Sequence, residues 1–370
     1  LSPYLGVYYR SIGLGVESIG VLAALQAAVA LAAAPAWGAI ADQLGAVRAP
    51  LVLASIWAAA GGVLLASARD PLAIALAVVL LAAGSSGVIP MLDSRTVDLL
   101  GPHRDRYGRA RAWGSVAFII SSIVVGAVVD RAGAIGLFYI YVPALALTSL
   151  AGWLLLAGRN RAGRRMARIS TAEVAGLLRQ RRLALFLVGS ILVWTAVTAF
   201  STFFSIHLVA LGAPAQTVGF AWALGAIVEV PLMFMFPTLV RRIGSERLLV
   251  LATAAFVARA AGIALTTNVP LMLAVAPLGG VGFALFYVGT VTYIAREAPV
   301  RLQATAQGIF SGTAFSVGTI LGSMLGGQVA AALTLRGLFA ACAVATAGAA
   351  VVVAWAVIPG RRPVAGRALM

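Results

Sequence analysis

Lysine is absent from this 370-residue chain, cysteine occurs once, histidine twice, and only 10% of the residues are charged. Each scarcity excludes something. The Gly-rich loop that cradles nucleotide phosphates ends in Lys, so ATP hydrolysis of that type is out. Cys342 lies in an apolar run with no second cysteine for a disulfide or a thiolate metal cluster. His103 and His207 have no neighbours at metal-ligand spacing, and no Ser/His/Asp or Cys/His arrangement offers a nucleophile. No enzyme, no cofactor and no metal are therefore expected. Soluble domains carry about a quarter charged residues, so an ordinary water-soluble domain is excluded as well.

What is present is apolar sequence, 62% of the chain, with a mean hydropathy of +1.02. Runs bounded by Gly, Pro and charge fall at 1–14, 18–41, 49–67, 72–97, 110–130, 135–157, 184–208, 217–240, 247–266, 271–294, 304–330 and 336–358. A membrane-crossing helix needs about 20 residues. The first run is too short and reads as a partial span, the sequence beginning inside its first helix. No initiating Met or basic n-region stands ahead of it, so no cleavable signal peptide is read. The expectation is an all-α membrane protein of twelve transmembrane helices.

The net charge of +16 comes from 27 arginines, and their placement tests that count. Alternate connections and the C-terminal tail hold 22 of them; the other connections hold Arg10, Arg69, Arg131 and Arg336, and Arg259 lies inside a span. Such a bias marks the Arg-rich side as cytoplasmic, placing both termini inside and the protein in the cell (inner) membrane as a multi-pass protein. Basic residues confined to short loops do not make a nucleic-acid-binding face. The longest polar stretch, 159–183, divides the chain into six-helix bundles at 1–158 and 184–370. Its second half, from Ser170-Thr171-Ala172-Glu173, reads either as an amphipathic surface helix or as a plain tether. Gly38 to Gly45 in the first bundle and Pro237 to Gly244 in the second occupy matching places, an internal repeat typical of two-bundle transporters.

Two charges lie deep in spans, Glu229 and Arg259. An ion at that depth costs about 2.5–3.5 kcal/mol on insertion scales, so each should face a cavity and be paired. An acid and a base on adjacent helices suggest a Glu229–Arg259 pair that breaks and re-forms, as proton coupling requires, or else a permanent bridge that fixes packing. Asp93 and Arg111 sit nearer the Arg-rich ends of their spans, where an ordinary interfacial ion pair is the alternative to a substrate role. Asp42, Asp70, Asp105, Asp130, Glu173, Glu246 and Glu297 read as solvated or interfacial. Gln26 is expected to face inward from span two and offer an amide to the solute. Trp222 is expected to line a cavity, with Tyr139, Tyr141, Trp194, Phe203 and Tyr287 as further candidates.

The segment GAIADQLGAVR (38–48) resembles the loop between helices two and three of the major facilitator superfamily. The resemblance implies two six-helix bundles working by alternating access, with Gly38, Asp42, Gly45 and Arg48 forming a conformational latch. A simple turn capped by glycine is the alternative. Asp93 followed by DRYGRARAWGSVAF (105–118) resembles the lactose-permease and phenylpropionate-permease group of proton symporters. That likeness implies that Asp93 and Arg111, eighteen residues apart, contact substrate, with Ser115 and Phe118 beside them. The chain also departs from the group. Gly279 and Gly282 stand where the relay His and Glu of helix ten are expected, and Glu229 lies one turn beyond the sugar-binding Glu position, here Ala226. Arg259 matches the arginine of helix nine. Galactoside recognition is thereby disfavoured, and the missing Gly-Pro pair in 113–127 argues against drug antiport.

The expected function is secondary transport of a small organic solute, an aromatic or other carboxylic acid, a sugar or a nucleoside, with proton symport. An uncoupled facilitator, an exporter and a non-transporting receptor remain the alternatives. The expected partners are the solute, protons and the lipid bilayer. The fold needs no second copy to form its pathway, so a monomer is expected.

Overall fold

Lipid offers a peptide backbone no hydrogen-bond partner, so each apolar run must close its own i→i−4 bonds. The computed structural model describes residues 2–101, 107–156, 176, 179–298 and 302–358, with backbone alone at 107–111, 304, 305 and 311. Among the described residues there is no strand. The helices are α1 (Ser2–Ser11), α2 (Val16–Leu44), α3 (Arg48–Ser67), α4 (Pro71–Leu100), α5 (Tyr107–Ala132), α6 (Gly136–Leu155), α7 (Arg181–Ala210), α8 (Ala215–Ile243), α9 (Ser245–Leu265), α10 (Val269–Val275), α11 (Pro277–Glu297), α12 (Gln303–Phe310) and α13 (Gly318–Val357). A π-helical segment, Ser311–Val317, joins α12 to α13.

Among the described residues ten stretches are long and apolar enough to cross a membrane, fewer than the twelve runs in the sequence for two reasons. α1 is only ten residues long. The last stretch, Ala306–Val357, holds the expected runs 304–330 and 336–358 together. It breaks at Thr334, whose φ of 76° is left-handed, and the Gly337 N–H donates to Thr334 Oγ1 at 3.3 Å across the break. Elsewhere local chemistry sets the ends as expected. Pro71 opens α4 behind Asp70, which accepts from the Ala73 N–H at 2.9 Å. Gly45 closes α2 in a left-handed conformation, φ 59°.

The first six helices pack as α2 on α4, α3 on α4 and α6, and α5 on α6; the later ones pack as α7 and α9 on α13, and α8 and α9 on α11. The two sets meet along α2–α13 and α5–α8, with α1 against α7. Leu72, Leu147, Leu155, Leu265 and Trp355 point outward and exposed, the surface that hydrocarbon covers in a membrane protein. Of the connecting stretch 159–183, residues 159–175, 177 and 178 lie outside the described residues.

The two ends of the molecule differ. At the Arg-poor end the arginines serve backbone carbonyls. Arg10 donates to Leu14 O at 3.1 Å, and Arg69 to Ala68 O at 2.7 Å. Arg131 reaches Ala127 O at 3.4 Å, while Arg336 caps α9 at Ala264 O, 2.6 Å away. Helix C-termini carry partial negative charge and unsatisfied carbonyls, which explains cations there. At the Arg-rich end Arg296 pairs with Glu246 and, at 3.7 Å, with Glu297, and the Arg48 guanidinium lies 4.0 Å from the centre of the Trp153 ring.

Candidate substrate cavity

Between the two helix sets lies a cavity of about 620 Å³, a size typical of small-molecule sites. Its first wall is α4 and α5, contributing Asp93, Thr96, Ser115 and Phe118. The facing wall is α7, α8, α9 and α11, with Ser201, Trp222, Glu229, Phe256, Arg259 and Phe283. It reaches toward the Arg-rich end, because Asp93 and Thr96 stand in the last two turns of α4. At the Arg-poor end the helix sets touch backbone to backbone. A methyl group on Gly20 of α2 would stand 2.5 Å from Ser323 O and 3.0 Å from the Cα of Gly327, both on α13. Only glycine permits that approach.

Arg259 is the chemical centre of the facing wall. Its side chain is 8% exposed, on the same cavity wall as Glu229. Aromatic faces surround it instead: its Cζ lies 4.3 Å from the Phe200 ring centre, 5.2 Å from Phe204 and 5.9 Å from Trp222. Cation–π contact is worth about 0.5–2 kcal/mol apiece, so the rings offset part of the desolvation without neutralising the charge. Its Nε is buried without a hydrogen-bond partner among the described residues. The indole that faces it is fixed by Trp222 Nε1 donating to Ser205 Oγ at 3.1 Å. Gly279 makes the seat, since a Cβ there would stand 2.5 Å from Arg259 Nη1.

Of the residues singled out in the sequence, Asp93, Ser115, Phe118, Trp222, Glu229 and Arg259 line this one cavity. The Arg111 side chain lies outside the described residues. Gln26 is half-buried on α2 and does not line the cavity, because α2 packs on α4 and α13 rather than forming a wall. Tyr139 is exposed and Phe203 is fully buried in the core, so neither lines it. Trp194 and Tyr287 instead pack around Phe315 of the π-helical segment, with ring centres 4.2 and 5.8 Å away. The latch residues are split. Asp42 is exposed, whereas Arg48 stacks on Trp153. Phe200, Ser201 and Phe283 were missed, since a Phe or Ser in an apolar run looks the same whether it faces lipid, core or cavity. Among the described residues no group of His, Cys, Asp and Glu is placed to hold a metal ion.

Two helix sets around a mid-depth cavity define a major facilitator transporter. The chain belongs to the MFS_1 like family, whose match spans residues 1–341. It is similar to the maltose permease of Geobacillus stearothermophilus, 30% identical over 338 residues, covering 89% of this chain and 83% of that one. It is also similar to a probable 3-phenylpropionic acid transporter of Escherichia coli K12, at 28% over 228 residues, 59% and 58% of the two chains. The solved structure of the nucleoside transporter NupG has the same fold, with a TM-score of 0.81 at 19% identity over 96% of this chain and 93% of that one.

Proposed function

We propose that this protein moves a small organic carboxylate by alternating access, coupled to protons, with the anion bound at Arg259. The observation that carries the reading is the buried guanidinium on the cavity wall, ringed by aromatic faces. A planar five-donor fork suits a carboxylate, and Phe118, Phe256 and Phe283 offer apolar contact to the rest of an aromatic acid. Glu229, on the same wall, is the proton carrier. Asp93, on the opposite wall, acts as a solute contact together with Arg111. Gly38, Asp42, Gly45 and Arg48 act as a latch that engages when the Arg-rich end closes, and the exposed Asp42 corresponds to its released state.

A sugar is the second reading, favoured by the similarity to a maltose permease. The Arg-rich end faces the cytoplasm of the cell (inner) membrane, both termini lie there, and the unit is a monomer. The stretch 159–183 tethers the bundles 1–158 and 184–370.

The test is purified protein in liposomes containing a pH-sensitive dye, challenged with carboxylates, sugars and nucleosides. Proton entry that accompanies an aromatic acid supports the proposal. Proton entry with a sugar alone overturns the carboxylate assignment, and solute equilibration without proton movement overturns symport.

A further inference from the structure

Beside the α1–α7 contact, the helix sets meet at the Arg-poor end along α2–α13 and α5–α8, and these two crossings are chemically different. The α2–α13 crossing is bare glycine contact. The α5–α8 crossing also has close backbone contact: a methyl group on Gly126 would stand 2.5 Å from Tyr4 Oη and 2.6 Å from Gln216 Cα. To that contact it adds polar bonds. Pro214, the N-cap of α8, has no side chain able to accept from the first turn, so those N–H groups need an acceptor from elsewhere. Asp130, at the end of α5 in the other bundle, supplies it. Its two carboxylate oxygens accept from the Ala215 N–H at 2.6 Å and the Gln216 N–H at 3.0 Å. Beside it the buried Tyr4 hydroxyl lies 2.7 Å from Ser122 O on α5 and 3.2 Å from Ala215 O on α8, a strut between the same two helices.

We infer that Asp130 and Tyr4 form the gate clamp of the Arg-poor end: the bonds that hold this end shut and must break when the cavity opens there. The inference rests on transport by alternating access and not on the identity of the solute. A cap taken from the opposite bundle is lost when the bundles part, whereas a cap from the helix's own N-terminal residue would survive. Bonds to a carboxylate are worth enough to bias two states by about tenfold. The α2–α13 crossing, without such bonds, slides.

The experiment uses full-length protein in lipid nanodiscs, with Cys342→Ala and spin labels at Leu72→Cys and Leu265→Cys, exposed positions at the Arg-poor end of each bundle. Distance distributions are compared with and without Asp130→Asn. The expected result is about a tenfold gain in the population with separated labels, and Asp130→Glu should restore part of the closed state. Lower thermal stability with unchanged distances would make Asp130 merely a helix cap and overturn the gate. Should Asp130→Asn not fold, Tyr4→Phe decides the question by the same readout. If the wild-type labels keep one distance with every solute in the panel, alternating access itself fails, which is separable from an unchanged Asp130→Asn.

Discussion

Arginine is used in two opposite ways in the Arg-poor end and in the central cavity. At the end, Arg10, Arg69, Arg131 and Arg336 each donate to carbonyl oxygens at helix termini. In the cavity, Arg259 has aromatic faces around it and a buried Nε with no acceptor among the described residues. Removing the first kind unties a helix end. Removing the second kind takes away a buried charge held by aromatic faces, which is costly to bury and is the basis of the solute site proposed above. The contrast separates the two kinds of cation by what they touch, where residue type and depth alone do not.

Four substitutions sharpen or break this contrast. The largest effect is expected at Glu229→Gln, which should abolish proton-driven accumulation while leaving solute exchange across the membrane intact; normal accumulation would remove Glu229 from coupling. Next is Arg259→Gln, expected to weaken solute affinity about 100-fold through loss of two charge-assisted bonds. Thermal stability should hold or rise, because a desolvated cation is gone. Titration calorimetry with the accepted solute measures the first and a thermal melt the second, and unchanged affinity would place Arg259 with the end arginines.

Arg336→Gln should do the reverse: stability falls by about 1–2 kcal/mol as α9 loses its cap, with KM unchanged. A shifted KM would mean that the end is coupled to the cavity. The smallest effect is expected at Arg131→Gln, whose single 3.4 Å bond is exposed; its melt should stay within about 0.5 kcal/mol of the parent.

The spans were legible because lipid imposes a length and a composition that no other environment does. Glu229 and Arg259 stood out for the same reason, each an expensive charge in an apolar run. The family likeness pointed to Asp93, Ser115 and Phe118 on the opposite wall. The aromatic surroundings of Arg259 were not legible, because helix adjacency leaves rotation and depth open, and Phe200 lies against the guanidinium. Gln26 misled because an amide at mid-depth fits a packing face as well as a cavity wall. Asp130 read as a loop carboxylate, since nothing near it in the chain shows that Pro214 leaves a helix uncapped across the bundle interface.

Sequence by itself determined that this chain is helical, lies in a membrane and carries its charge asymmetrically, because hydropathy and arginine counts act locally along each span. Which end is sealed and which carboxylate bridges the bundles were decided by tertiary structure alone. Those properties depend on distances of a few ångströms between helices more than 80 residues apart in the chain, and such distances leave no local pattern to read.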